Sequence, residues 1–436
     1  MGVRMKLEDL YQKKWDNNEL DREDVNAFIQ YLMGDEIDLT LCKKFIGLLS
    51  EMSHNEMVNF ICAICDSGKK LSLSHSGELV DKSSIGGIND VASFITLPLL
   101  ASLGYFVAKI NYADDDEISS LDRLHLINGF QTKLSKRKID RLLDENHMCF
   151  FEVPEDVAPV YKKLVDLIKD AKMKDNIYFK TIFLMCKKVL IGVKTLVLDI
   201  KCGEGCEFST MVDAENYAEM VRALCDEFGI DMVTNIVYIT EPLMKRIGLR
   251  LELEVAIKML SNRIKYKSSP FFISCKNIVS AILIQTKRCK TKQEANKLIS
   301  TAMDSGLVLE KFMQMILAQG GDLKYFDNPD ELINNTTSVN IYAECTGYVH
   351  DVDVAMLKKV IGVLGGEKDE QGKIKDDSVG IEIMVSEGER VRKNQLIATV
   401  YFALSNTKFA KGIKLIKDAF VVGRKKLKND KKPIRK

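Results

Sequence analysis

The sequence lacks the features that send a chain to a membrane or to a polyanion. Its 63 basic and 62 acidic residues almost cancel, leaving a formal net charge of +1, so no global field steers it toward nucleic acid. No apolar run reaches the ~18 residues that a membrane span needs, and Met1 to Leu7 show no charged-then-apolar leader pattern. Internal repeats and low-complexity linkers are missing as well. The eleven cysteines are odd in number and scattered. Cys62 and Cys65 form a CxxC without a second pair at zinc spacing, and Cys202 and Cys206 flank a glycine turn, also without partners. Core thiols in a reducing cytoplasm, with no metal, are the expectation.

What is there is a chain of 436 residues, 46% hydrophobic and 29% charged, which predicts a globular protein of two or three packed units. Residues 6 to 66 read as helices: Leu7, Leu10 and Tyr11 share a face, and Val25, Phe28, Ile29 and Leu32 repeat at helical spacing. Helices are also expected over Leu39 to Met52 and Asn55 to Cys65. From about Val80 the texture changes. Tyr105 to Ile110, Thr195 to Ile200 and Asn235 to Thr240 read as buried strands, alternating with helices at Val91 to Leu103 and Ala214 to Phe228. Residues 157 to 194 interrupt that alternation with a helical stretch, and 245 to 318 are read as largely helical. After Asn335 strands return at Val339 to Ala343, Gly380 to Met384 and Leu396 to Tyr401, around a helix at Val354 to Val363.

The predicted fold is therefore α/β with a small all-α domain, a mostly parallel central sheet and a C-terminal α+β domain. The expected division is 1–70 with 157–194 for the helical domain, 71–156 with 195–335 for the α/β domain, and 336–436 for the last. The Lys/Arg-rich tail after Gly423 reads as a solvated end.

One segment points to chemistry. In Asp81-Lys82-Ser83-Ser84-Ile85-Gly86-Gly87-Ile88-Asn89-Asp90-Val91 a glycine pair precedes a helix expected to begin near Asn89. Glycines admit a ligand close to the backbone, and a helix N-terminus favours an anion. Lys82 supplies charge, and Ser84 and Ser93 supply hydroxyl donors. By composition this is a plausible phosphate cradle, although its spacing is not that of a Walker loop; a plain turn fits the residues too.

The same segment resembles the D-K-H-S-T-G-G-x-G-D-V of the pyrimidine nucleoside and thymidine phosphorylases, and further segments follow in the family's order. Leu121-Asp122-Arg123-Leu124 and Ile127-Asn128-Gly129-Phe130 resemble L-D-K-L and I-P-G-F. Lys187-Lys188 followed by Leu198-Asp199-Ile200-Lys201 resembles K-K and then M-D-V-K. Gly347-Tyr348-Val349, Asp377-Ser378-Val379-Gly380-Ile381 and Glu387-Gly388-Glu389-Arg390-Val391 resemble segments of the family's C-terminal domain.

The resemblance implies a pentosyltransferase that carries out reversible phosphorolysis of a pyrimidine (deoxy)nucleoside to free base and pentose 1-phosphate. Inorganic phosphate is the co-substrate, and no other cofactor and no metal are implied. It places Lys82, Ser84, Gly86, Gly87, Ser93, Asn111 and Ser120 around phosphate, and Lys187 as the catalytic lysine on the base side. Three expectations go with it: a cytoplasmic homodimer paired through the helical domain, small-molecule partners alone, and no nucleic acid or membrane.

Two departures qualify this. The family's glycine-rich G-R-G-L-G-H-T-G-G-T is replaced by a loop that begins at Tyr112 and carries Asp114, Asp115, Asp116 and Glu117. Each carboxylate facing a phosphate would cost about 1 kcal/mol in water-like surroundings; facing solvent it would cost nothing. On the base side, Ile168 stands for an arginine, Phe183 for a serine, Val165 for a tyrosine and Ser83 for a histidine; a one-turn shift would instead bring Lys163 or Lys169 inward. Two alternatives follow. One is a paralogue that binds a ligand or partner without turnover. The other is a phosphoribosyltransferase in which Asp114 to Asp116 hold Mg²⁺.

Overall fold

In the computed structural model the described residues are 7–86, 91–112, 118–334, 336–369 and 372–426. The chain opens with four helices, α1 (Leu7–Trp15), α2 (Arg22–Met33), α3 (Leu39–Leu48) and α4 (His54–Cys65). Their starts are set by side chains that satisfy the orphan N–H groups of the first turn. Asp21 with Asp24, and Ser53 with Glu56, form reciprocal capping boxes at α2 and α4. Buried Glu56 also accepts from Lys14 at 2.6 Å and from the Leu20 N–H at 3.1 Å, tying α1 and the α1–α2 turn to α4.

Next come β1 (Val80–Ile85), α5 (Ala92–Ser102), β2 (Val107–Asn111), α6 (Ser120–Leu124), α7 (Lys136–Asn146) and β3 (Met148–Glu152). Two further helices, α8 (Val160–Asp170) and α9 (Ile177–Ile191), return to pack on the first four, and the alternation resumes with β4 (Thr195–Cys202), α10 (Met211–Glu227) and β5 (Asp231–Tyr238). β1 pairs in parallel with β4, β4 with β5, and β2 with β3. A parallel bridge between Leu79 and Phe106 joins the two ladders at their N-terminal ends, giving the order β3-β2-β1-β4-β5. Beyond that bridge no ladder among the described residues pairs β1 with β2.

The sheet is buried on both faces, as a parallel sheet must be. Leu196, Leu198 and Ile200 face a cluster shared with α1–α4, α8, α9 and α10, whereas Val80, Val107 and Val197 face one shared with α5 and the later helices. Thus α5, which follows β1, and α10, which follows β4, lie on opposite faces. Adjacent parallel strands whose connections leave to opposite sides open a crevice at their carboxyl ends.

The later part comprises β6 (Arg246–Ile247), α11 (Leu249–Leu260), α12 (Pro270–Gln285), α13 (Lys292–Asp304), α14 (Leu307–Ala318) and the short α15 (Lys324–Asp327). The last portion contains β7 (Thr337–Tyr342), β8 (Gly347–Val352), α16 (Val354–Leu364), β9 (Gly380–Ile383), β10 (Arg390–Val391), β11 (Leu396–Phe402), α17 (Phe409–Asp418) and β12 (Phe420–Gly423). Two antiparallel sheets, β6-β9-β11-β7 and β10-β8-β12, enclose a third apolar cluster with α16 and α17.

The mixed α/β class with parallel strands is as the sequence predicts, with local differences. Arg246–Ile247 is not helical but pairs with β9, because Gly248, at φ +114°, breaks the chain before α11. The third helix stops at Leu48 rather than Met52, since the backbone leaves helical geometry at Leu49. Val80–Ile85 is a strand that the apolar pattern does not announce, and the largely apolar run Met148–Glu152 is a further strand beyond those expected. Asn89 lies outside the described residues, and the helix is assigned from Ala92.

Candidate functional site

Along the paired strands β1 and β4, from Asp81 near the start of β1 to Asp199 and Lys201 toward the end of β4, four lysines surround two buried aspartates. The alternation of β1 sends Lys82 and Ser84 to the α5 face with Val80, and Asp81 to the α9 face. Ser84 lies opposite Asp199 of β4 in the ladder. Its Oγ donates to Asp199 Oδ2 at 2.9 Å, and the Lys82 Nζ stands 4.0 Å from the same oxygen. Asp199 Oδ1 accepts from Lys201 Nζ and, at 2.8 Å, from Asn235 Nδ2 of β5. Burial acts to raise the Asp199 carboxyl, but Lys201 and Lys82 outweigh it and hold the group below its ordinary range.

Asp81 is the second hub. Its carboxylate accepts from Lys109 Nζ at 3.2 Å, from the Lys82 N–H at 2.7 Å and from Lys188 Nζ of α9. Lys109 also donates to the Lys82 carbonyl at 2.6 Å, so this one side chain spans the split between β1 and β2. Burial works against the Asp81 charge, yet Lys109 and Lys188 keep it ionised below the usual range. Lys188 responds in the opposite sense: burial, with Lys109 nearby, brings its ammonium down to about 8 even though Asp81 pulls it up. Lys82, Lys188, Asp81 and Asp199 are each at most 2% exposed. Charges so deep persist only when paired and hydrogen-bonded.

Gly86, with φ +78°, turns the chain over the end of β4. A Cβ there would sit 2.2 Å from the Lys201 carbonyl oxygen, so only glycine fits. Ser93 lies in the first turn of α5, fully buried, and its Oγ has no hydrogen-bond partner among the described residues. The Val91 cap supplies no side-chain bond either, which leaves the N–H groups of that turn to be satisfied otherwise. Asn111 ends β2 opposite buried Glu152, and Ser120 is a buried first residue of α6. Gly87 and the acidic residues Asp114 to Glu117 lie outside the described residues.

Lys187 is half-buried on α9, while its neighbour Lys188 is the lysine that reaches Asp81. Four residues before Lys187, and on its face, stands Phe183. Val165 and Phe183 are half-buried against the first apolar cluster, Ile168 is inside it, and Ser83 is buried on β1. Lys163 does not turn inward, since its Nζ donates to the Leu32 carbonyl at 3.0 Å. Val165, Ile168 and Phe183 therefore present carbon, Ser83 alone among these positions carrying a hydroxyl, and three aromatic rings, Tyr112, Tyr161 and Phe183, lie in contact with one another.

Sequence reasoning gives no role to Lys109, Lys188, Asp199 or Asn235. A lysine inside the apolar run Val107 to Asn111 was the available signal for Lys109. For Lys188 it was the spacing from Thr181 and Met185, both buried on the same helix. A separate cleft of about 580 Å³ lies between α6, α11 and residues 374–378. Its Arg250 is engaged by Asp377 at 2.8 Å, and its Asp376 by the Ala403 N–H and Asn406, each at 2.9 Å. Among the described residues no three His, Cys, Asp or Glu side chains are grouped to hold a metal ion, and no helix is long and apolar enough to cross a membrane.

No protein-family model matches the chain. It is 28% identical over 404 residues to the pyrimidine-nucleoside phosphorylase of Staphylococcus haemolyticus (strain JCSC1435), covering 91% of this chain and 92% of that one. It is also 28% identical, over 406 residues and with the same coverage, to the pyrimidine-nucleoside phosphorylase of Staphylococcus aureus (strain N315). Among solved structures it is similar to anthranilate phosphoribosyltransferase from Thermus thermophilus, with TM-score 0.56, 15% identity, and 71% of this chain and 99% of that one covered. The same enzyme from Saccharomyces cerevisiae gives TM-score 0.52 at 11% identity, over 73% and 99%. At such identities the structural likeness speaks for the fold alone. Over nearly its whole length the chain is a divergent relative of the pyrimidine-nucleoside phosphorylases.

Proposed function

We propose that the protein is a nucleoside-phosphorylase-like pentosyltransferase that cleaves a pyrimidine (deoxy)nucleoside with inorganic phosphate. The observation that carries this reading is the convergence of Lys82 and Ser84 on Asp199, together with a buried Ser93 hydroxyl in the first turn of α5 that has no partner among the described residues. Together they make a preorganised donor set at a switch point of a parallel sheet.

In phosphorolysis an anion attacks the anomeric carbon while positive charge builds on the sugar and negative charge on the departing base. Lys82, Ser93 and the first turn of α5 would hold the attacking oxygens, joined by Ser84 once its hydroxyl turns from Asp199, with Asn111 and Ser120 at the margin. Asp199 and Asp81 fix the lysines in place, so that little reorganisation is needed as charge moves. Lys187, on α9 next to the Asp81-bound Lys188, is the candidate donor to the leaving base. A cytoplasmic homodimer acting in nucleoside salvage is the setting we propose for this activity.

The test is base release from uridine, thymidine and deoxyuridine in phosphate, with Lys82→Ala as control. Release that the variant lacks is the expected result; no release from any nucleoside overturns the reading. A second reading, binding without turnover, is favoured by the burial of Ile168 in the core, which leaves no charged donor at that position. Phosphate binding without release would support it.

A further inference from the structure

We propose that Tyr112 is the specificity-determining residue of the base side, an internal ring that occupies the stacking face a flat base would otherwise use. The inference rests on the functional reading above for the location of the base side, and on the structure for the ring. Tyr112 directly follows Asn111 at the end of β2, where the resembling family's loop begins with glycine. Its ring lies on that of Tyr161 of α8, with centroids 3.2 Å apart and planes within 8°. Tyr161 in turn meets Phe183 of α9, at 4.6 Å and 50°. Tyr161 is buried, and Lys187 stands one turn beyond Phe183 on α9. An unbroken aromatic contact thus crosses from the strand that carries Lys109 and Asn111 to the two helices that carry Val165, Ile168, Phe183 and Lys187.

A parallel ring in direct contact with Tyr161 is the arrangement a bound nucleobase would adopt. With Tyr112 in place that face of Tyr161 is taken. With glycine at 112 it would be a slot floored by Tyr161, edged by Phe183 and reached by Lys187. Such a slot holds any flat aromatic ring by stacking, and it discriminates little between exocyclic groups because carbon, not paired donors and acceptors, surrounds it. The class of ligand is therefore a planar heteroaromatic base, admitted only when the Tyr112 ring leaves Tyr161.

The experiment uses the full chain as wild type, Tyr112→Gly and Tyr112→Phe, titrated calorimetrically with inorganic phosphate, uracil and thymine. Phosphate affinity should be the same in all three, which also reports that each is folded; Tyr112→Ala repeats the test should glycine unfold the strand end. Tyr112→Gly should bind uracil and thymine at least tenfold more tightly than wild type, and the two bases within about threefold of each other. Tyr112→Phe, which keeps the ring, should match wild type. Unchanged base affinity in a Tyr112→Gly protein that binds phosphate overturns the inference, as does a phenylalanine variant that opens the site equally well. Failure of all the proteins to bind phosphate overturns the phosphorylase reading instead, and this inference falls with it.

Discussion

The two sides of the cleft are built on opposite principles. On the sheet side, Lys82, Lys109 and Lys201 of the strands, with Lys188 reaching in from α9, are held by Asp81 and Asp199, and each aspartate accepts from several donors at once. On the helix side, Val165, Ile168 and Phe183 meet their neighbours through carbon. The difference teaches which kind of site tolerates change. Removing one member of a buried charge network strands its partners, at about 3–5 kcal/mol, whereas apolar packing absorbs substitutions that conserve volume for under about 1.5 kcal/mol. The motif likeness to the phosphorylases is correspondingly dense along β1 and thin along α8 and α9.

The sharpest way to break this comparison is to remove a hub. Asp199→Ala leaves Lys82 and Lys201 beside an empty space, and should lower the unfolding free energy by about 3–5 kcal/mol, read from urea midpoints. A change under about 1 kcal/mol would show that the network does not carry the fold. Next is a charge on the other side. Ile168→Arg restores the family's residue type at a position buried in the core, and should cost about 3 kcal/mol through an unpaired buried charge. A stable variant that gained pyrimidine affinity would instead show that this position faces the cleft. Smaller in free energy is Lys82→Ala, which should reduce base release by about a hundredfold through loss of one preorganised cationic contact. An unaltered rate would move the chemistry elsewhere.

The legibility of the sequence follows the same division. β4 is readable because Leu196, Val197, Leu198 and Ile200 are apolar in a sheet buried on both faces. Its neighbour β1 is not, because Asp81-Lys82-Ser83-Ser84 reads as a polar turn. Those residues can be buried only because Asp199, Lys109 and Lys188 come to meet them from distant parts of the chain. A functional strand thus breaks the pattern by which strands are recognised. The glycine turn and the roles suggested for Lys82 and Ser84 were visible through motif resemblance, whereas their hub, Asp199, is defined by ladder register, which no local pattern encodes. Tyr112 is a similar case: as a single residue before an acidic loop it says nothing until Tyr161 and Phe183 are brought beside it.

The smallest effect we predict sharpens the comparison from the sheet side, through Lys188. Its ammonium, brought down to about 8 by burial and by Lys109, is protonated at pH 7 and largely neutral at pH 9, where a lysine at its ordinary 10.5 would still be charged. The cluster therefore loses one positive charge within that window, and its affinity for a dianion should fall about three- to tenfold as pH rises from 7 to 9. Sulfate is the suitable probe, because its own charge is constant over the range whereas that of phosphate is not. Lys188→Met removes the titrating group and should give a weaker but flat profile. If wild type were flat as well, Lys188 would be an ordinary charged lysine whose link to Asp81 fully offsets its burial. The sheet side would then be a fixed positive field rather than one that weakens above neutral pH.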